Sequence, residues 1–511
     1  MVENIQNGEG SRPFDGVPLI ALMLAAIGAA LIGILVTSVA SAVGLGGEDE
    51  AFGTTLLRFL NTYGIIVPIL QVGFGLYMLS LARRLIQRSL GGAVWARQML
   101  LWLLVLVAAL ALQAYSQAFS GDLFTSDSLA LAAALTIAGL ALLWAYWWLG
   151  ANLDRFEGIE TLEQTSARNA WNLLVPTLVV LVVVAARPLE ATFIASLTDR
   201  RFASRAEYGF VGLDNYTRLL GVRFDVIDCA RTDTGACEVN ANGAVVYPRT
   251  RDVLDESYIA LRFRDLNAID LPGGTSRLLI SARDRDFFSA VGNTLTFTVF
   301  SVSLELLLGL FIAMVINSRF PGRGIMRAAM LVPWAIPTVV SAKLWDVMLR
   351  DNASGVINQV LLSIGAIQSS QAWLANPSLQ IPALIAVDVW KTTPFMALIL
   401  LAGLQTIPSD IYEAADVDGA NKVRQFFSLT LPLLRPTIAV ALVFRTLDAV
   451  RVFDVFNVLL GRQQLSMATY NYETLTQSQQ LGYASAIGVV IFIIILLFTV
   501  GYVRILGVSA E

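Results

Sequence analysis

EAADVDGANKVRQFFSLTLPLLRP, residues 413–436, is a polar and charged stretch between two long apolar segments. It carries Glu413-Ala414-Ala415, a glycine at Gly419, an aromatic pair Phe426-Phe427, and Leu431-Pro432. These residues predict a short helix, a turn at Gly419, and a second helix that Pro432 closes. A polar helix–turn–helix between membrane spans has no use for lipid. Its expected role is to dock into another protein.

The surrounding composition supports a membrane setting. Of 511 residues, 56% are hydrophobic and only 14% charged, where a soluble domain carries about a quarter charged. The apolar residues come in blocks of about eighteen or more, the length a helix needs to cross a bilayer. The net charge of −4 argues against a nucleic-acid partner. The absence of histidine removes the usual general base, metal ligand and pH switch together, so no catalytic or metal site is expected. The two cysteines, Cys229 and Cys237, both fall in a polar insertion. A disulfide forms there if the insertion faces an oxidising compartment, and two free thiols are the alternative. The first apolar block is too long for a cleavable signal peptide and is expected to remain as a span.

Outward from the opening stretch, the chain reads as an all-α polytopic membrane protein of about ten transmembrane helices. It also has a small β-leaning extracytoplasmic insertion. The spans fall at residues 17–47, 63–81, 99–119, 129–149, 171–186, 291–316, 325–349, 379–404, 437–460 and 483–503. Residues 1–16 form a tail and 17–170 a four-helix bundle. Residues 171–511 hold the last six spans, with an insertion at 198–286 and the docking loop at 408–436. Glu48-Asp49-Glu50 opens a short acidic loop.

Arginine and lysine in the short loops orient the chain. With the N-terminus inside, the inner segments hold Arg12, Arg83, Arg84, Arg88, Arg97, Arg155, Arg168, Arg319, Arg323, Arg327, Lys422, Arg424, Arg435 and Arg504. The short outer loops hold Arg58, Arg350 and Arg462. Both termini and the docking loop are therefore expected in the cytoplasm, and the cysteine-bearing insertion outside. Ala244-Val245-Val246-Tyr247 and the segment from Tyr258 to Phe263 lean towards strand, and Asn242-Gly243 signals a hairpin.

Residues 413–436 closely resemble the signature loop of the membrane subunits of binding-protein-dependent ABC importers. The family pattern runs Glu-Ala-Ala, a short spacer, Gly, a longer spacer, an aliphatic residue and Leu-Pro. Glu413, Ala414, Ala415, Gly419, Leu429, Leu431 and Pro432 stand in register with it, and Asp418, Ala420, Leu433, Leu434 and Pro436 match its sugar-importer version. The resemblance extends over residues 171–511. It takes in the run from Phe210 to Tyr216, Gly292-Asn293-Thr294, the run from Leu331 to Pro337, Asp388-Val389-Trp390-Lys391 and Thr393-Pro394-Phe395. It is nearest to the larger permease subunit of maltose- and trehalose-type systems.

The resemblance implies a non-catalytic permease in a bacterial or archaeal plasma (inner) membrane, in contact with lipid. It implies a second permease, two ATPase subunits and an extracytoplasmic sugar-binding protein as partners. ATP and Mg would be bound by the ATPase, with no cofactor in this chain. The expected cargo is a di- or oligosaccharide of maltose, trehalose or alpha-glucoside type. A glycerol phosphate or other polyol is the first alternative, and an ion-coupled secondary transporter the second. No G-x-x-x-x-G-K-[ST] phosphate loop is present. The four leading spans depart from the basic six-span pattern and have no role assigned by it.

Two groups of residues are expected to work. The resemblance places Glu413, Ala414, Ala415, Asp418, Gly419, Phe426, Leu431 and Pro432 at the ATPase contact, with Glu413 foremost. Charged residues inside a span are costly and point to function. Arg445, Asp448, Arg451 and Asp454 recur every third residue in span nine, and either pair along the helix or partly line a sugar path. The resemblance implies that Asp388, Lys391, Thr392 and Phe395 in span eight join that candidate path, with Arg445, Asp448 and Arg451. Lys391 and Asp388 could instead lock their helix, and Glu305 is expected to pair with Arg445 or Arg451. Pro333 and Pro337 imply a bent or broken span seven.

Overall fold

The computed structural model describes residues 15–44, 52–120, 126–158, 162–232, 236–318, 320–352 and 354–505. The tail before residue 15, the acidic loop Glu48-Asp49-Glu50 and Arg319 lie outside the described residues. Among these, eight helices are long and apolar enough to cross a membrane, or ten when each of two bent pairs counts as one span. The chain is thus an all-α polytopic membrane protein carrying one small sheet. By internal contacts it forms two units, Met1–Ile194 and Ala195–Glu511, a division downstream of the linker read from the sequence.

In the first unit, helix Val17–Gly44 packs on helix Ile66–Ile86. Two glycines bring them close: a Cβ added at Gly28 would lie 2.6 Å from the carbonyl oxygen of Gly75. Leu90–Ser120 and Ser126–Ala151 pack against each other. Ile20, Leu24, Met78, Leu81, Leu85, Leu100 and Leu149 fill the shared core. Leu22, Ile69, Leu112 and Ile137 point outward, as side chains facing lipid do. Residues Phe52–Tyr63 form a helix of their own, where the sequence reading had a loop. Helix Ile66–Ile86 begins after Gly64, whose φ is +73°, and Glu190 accepts from the Ile66 N–H at 2.7 Å. That contact satisfies one of the orphan donors at a helix start.

The second unit is built around helix Pro377–Gln405, which is mostly buried, whereas Leu481–Ile505 is mostly not. Its main neighbour is Arg285–Asn317, which begins earlier than the expected residue 291. A Cβ at Gly309 would lie 3.2 Å from the backbone nitrogen of Ala397, so the two rods cross nearly backbone to backbone. Span seven is broken, as its prolines implied: Arg323–Ala335 and Thr338–Met348 meet at 90°. Span nine runs Arg435–Leu459, close to expectation, but its helix is interrupted: one part ends at Val450 and the next starts at Asp454.

Several residues of the resemblance outside the docking loop serve this architecture. Asn215 donates to the carbonyls of Ser196 and Thr198 at 2.8 and 2.9 Å. Thr294 accepts from the Met467 N–H at 2.9 Å, and Asn293 donates to Leu465 at 3.1 Å.

The insertion holds three antiparallel strands, β1 Val222–Asp228, β2 Arg264–Asp270 and β3 Ser276–Ala282, in the order β1-β3-β2. Cys229 and Cys237 are bonded, with their Cα atoms 5.6 Å apart. The Asn242-Gly243 turn forms, with Gly243 at φ +78° and Val239 opposite Val245. The segment from Tyr258 onward departs from expectation. It is a helical turn, Glu256–Ala260, because Tyr258 is buried and its hydroxyl donates to Asp265.

Candidate functional site

The docking stretch folds as an elbow. Helix Ser409–Val417 carries Glu413, Ala414 and Ala415. Asp418 ends it, and Gly419 turns the chain at φ +72°. Nothing lies within 4 Å of a Cβ placed on Gly419, so the glycine is required by conformation and not by space. The Ala420 N–H closes the turn on the Ala415 carbonyl at 2.9 Å. Asn421 caps the next helix by accepting from the Arg424 N–H at 2.8 Å. That helix widens into a π turn over Phe426–Thr430 and continues through Leu431–Leu433. Pro432 therefore lies inside the last turn and does not close the helix. The 66° bend falls between Leu433 and Arg435.

Side chains unremarked in the sequence hold the elbow together. Lys422 donates to both carboxylate oxygens of Asp416 at 2.9 and 3.1 Å. Gln425, nearly fully buried, donates to Asp416 and to the Ala420 carbonyl at 2.5 and 2.8 Å. These hydrogen bonds, Lys422 first, hold the Asp416 carboxyl below its ordinary range. Tyr412 and Thr430 join the two arms at 2.9 Å. The pairings cross a turn, so no helical spacing advertised them.

The outer surface of the elbow presents Glu413, Ala414 and Asp418 with exposed Val417, Val423 and Phe427. Ala415 and Pro432 are half-buried. Phe426 and Leu431 turn inward, against a core that includes Leu310, Leu400 and Leu434. The two phenylalanines meet edge to face at 5.0 Å. Phe427, not Phe426, is thus the aromatic presented outward.

Deeper in the membrane part, Arg445 forks among three carboxylates. It donates to Glu305 at 3.0 Å, to Asp448 at 2.8 Å, and to Asp388. Arg445, Glu305 and Asp388 are buried, whereas the Asp448 side chain is 72% exposed. Thr392 donates to Glu305 at 2.6 Å. The expected pairing of Glu305 with Arg445 is therefore present. The ladder is not: Arg445 and Asp448 pair, but Arg451 bonds the Leu447 carbonyl at 2.9 Å instead. Asp454 lies past the helix end.

Lys391 does not lock onto Asp388. Its Nζ donates to the carbonyls of Ile336 and Trp334, at 2.6 and 3.5 Å, where span seven breaks. Trp334 and Phe395 stack at 5.8 Å with their planes 10° apart. Asp388, Lys391, Thr392, Arg445, Asp448 and Arg451 line one cavity of about 160 Å³. Phe395 is not in its wall. Among the described residues no group of acidic, cysteine or histidine side chains is placed to hold a metal.

An elbow exposed between spans, beside a broken helix and a buried charged fork, defines the membrane subunit of a transport machine. The chain belongs to the family described as binding-protein-dependent transport system inner membrane component, whose pattern matches residues 305–507. It is the permease subunit of an ABC importer. The trehalose/maltose transport system permease protein MalF of Thermococcus litoralis is 44% identical over 227 residues, covering 43% of this chain and 75% of that one. The sulfoquinovosyl glycerol transport system permease protein SmoG of Agrobacterium fabrum is 38% identical, covering 44% and 73%. The trehalose transport system permease protein SugA of Mycobacterium tuberculosis is also 38% identical, covering 44% and 72%. A solved bacterial alginate ABC transporter, in complex with alginate pentasaccharide-bound periplasmic protein, contains a similar chain. It is 21% identical with a TM-score of 0.47, covering 68% of this chain and 96% of that one.

Proposed function

We propose that this permease forms half of the path for a neutral di- or oligosaccharide of trehalose or maltose type, and that its elbow receives the motion of a partner ATPase. The elbow carries the coupling half of the reading. It presents a carboxylate, Glu413, with Val417, Val423 and Phe427 on an otherwise polar projection. The Glu413 side chain is exposed and makes no hydrogen bond or ion pair among the described residues, which suits a basic group on another protein. ATP and Mg belong to that partner, and this chain performs no bond chemistry.

The cargo is argued from the relatives' names and from the charge balance of the cavity. The charge of Arg445 is already matched by Glu305, Asp388 and Asp448. The cavity wall as a whole carries three carboxylates, Asp388, Asp448 and Asp454, and three cations, Lys391, Arg445 and Arg451, so nothing selects an anion. At about 160 Å³ the cavity is smaller than the ~300 Å³ at which ligand sites begin. A second permease subunit would complete it. Trp334 and Trp390 are exposed near this path, and aromatic faces suit the apolar side of a sugar ring.

In this reading the membrane is a bacterial or archaeal plasma membrane, with both termini and the elbow in the cytoplasm and the disulfide-bearing insertion outside. Closure of two ATPase subunits draws the elbows together and turns the spans outward-open, to receive sugar from a binding protein. Glu413→Lys in the assembled complex tests the coupling: ATP turnover is expected to persist while uptake of labelled trehalose or maltose collapses. Normal uptake in that variant would remove the docking role. Binding of labelled sugars by the complex, with no retention of either disaccharide, would remove the cargo assignment alone.

A further inference from the structure

The insertion contains a cavity of about 780 Å³ lined by Arg218, Arg262, Arg264 and Arg283 and by no acidic residue. The volume lies within the range of ligand sites. Two of the arginines have partners at its edge. Arg264 pairs with Asp286 at 3.1 Å. Arg218 donates to Gln480 at 3.1 Å and lies over the ring of Tyr483 at 4.2 Å. The other two carry the argument.

Arg283 holds its Nε buried with no hydrogen-bond partner among the described residues, and a buried donor left unpaired is costly. Its stem packs closely on the backbone at Gly221, where an added Cβ would lie 2.6 Å from the Thr217 carbonyl oxygen and 2.8 Å from Cδ of Arg283. Arg262 sits at φ +58°, closing the turn after Glu256–Ala260 with its N–H on the Ile259 carbonyl at 3.0 Å. Glycine is the ordinary residue for that backbone conformation. The arginine there is exposed on the wall of a cavity already rich in arginine, in a backbone conformation uncommon for a residue with a side chain.

We propose that this cavity binds an anionic group, a carboxylate, sulfate or phosphate, through the forks of Arg262 and Arg283. Guanidinium groups suit such ligands because they donate two parallel hydrogen bonds to one planar or tetrahedral anion. The anion is either a free solute or an acidic side chain on another protein. The inference is independent of what the membrane part carries.

The test uses the full chain in lipid nanodiscs, titrated calorimetrically with sodium sulfate and, separately, with acetyl-hexaglutamate amide, at ionic strength held by sodium chloride. Saturable binding is expected, weakened about tenfold or more by Arg283→Gln and by Arg262→Gly. Arg262→Gly relieves the backbone, so its melting temperature should hold or rise, which separates a lost ligand from a lost fold. Binding of sulfate assigns the site to a free anion. Binding of the peptide alone assigns it to an acidic protein surface. Absence of saturable binding by either probe, or equal binding in both variants, would overturn the proposal.

Discussion

Lys391 Nζ lies 2.6 Å from the carbonyl oxygen of Ile336, at the point where span seven breaks. Pro337 has no N–H to continue the helix, and the break leaves carbonyls at membrane depth without helical partners. In lipid such groups must find partners within the protein. Lys391 supplies them, which explains a buried cation that is not paired with the neighbouring Asp388. Lys391→Met is therefore expected to cost about 2 kcal/mol and to lower uptake more steeply than stability, since the break borders the cavity. Lys391→Arg should retain part of both. Unchanged uptake and melting temperature in Lys391→Met would refute the role.

Arg445 is the only cation within bonding distance of both Glu305 and Asp388 among the described residues. Removing one partner of a buried ion pair costs about 3–5 kcal/mol, because the remaining charge is stranded. Arg445→Gln is expected to lower the yield of folded complex sharply. Adding Glu305→Gln should restore part of it, since the second change removes a stranded carboxylate. Melting curves of the two single variants and the double variant measure the coupling. Simple additivity would mean that the fork contributes nothing as a unit.

Much of this arrangement was readable in advance, and the failures have physical reasons. Residues 413–436 announce a turn because glycine, proline and polar residues are local signals. Pro333 and Pro337 announce a break for the same reason. The interruption within span nine carried no such signal: Arg451-Val452-Phe453 contains no breaker, yet the helix stops at Val450 and restarts at Asp454. In the insertion, the aromatic and aliphatic residues between Tyr258 and Phe263 resembled a strand. Burial of Tyr258 and its bond to Asp265 favoured a helical turn instead. Asp416, Lys422 and Gln425 meet only because the elbow folds back, and linear spacing does not reveal that.

The elbow should weaken in acid. Hydrogen bonds from Lys422 and Gln425 lower the pKa of Asp416 in the folded state. Its contribution is therefore full above the unfolded-state value of about 3.9, and is lost as pH falls through the lower folded value. At neutral pH, Asp416→Asn should speed amide exchange across residues 409–430. As pH falls below the unfolded-state value and through the lower folded one, the two proteins should converge. A difference that stays the same size down the acid titration would show that the carboxylate charge is not what holds the turn.

Two glycines should fail for different reasons. Gly419→Ala has room for its methyl group but not the backbone conformation, and is expected to cost about 1 kcal/mol. Gly419→Asn should recover part of that cost. At Gly403 the φ is ordinary, but a Cβ would lie 2.4 Å from Oγ1 and 2.6 Å from Cγ2 of Thr437. Gly403→Ala should therefore be partly rescued by Thr437→Ala, which removes both atoms, whereas no neighbour change can rescue Gly419→Ala. Melting temperatures of these variants decide the point, and rescue of neither position would discount the packing argument.

The adjacent phenylalanines of the elbow should separate stability from coupling. Phe426 packs against the core that holds Leu400 and Leu434, so Phe426→Ala is expected to destabilise by about 3 kcal/mol. Phe427 is 61% exposed and contributes little to that core, so Phe427→Ala should leave the melting temperature nearly unchanged. If the elbow docks on the ATPase, Phe427→Ala should still reduce uptake at unchanged permease abundance, with ATP turnover no longer tracking transport. The two measurements together exclude a trivial folding defect. Full coupled transport in Phe427→Ala would place the contact elsewhere on the elbow, on Glu413, Val417 or Val423.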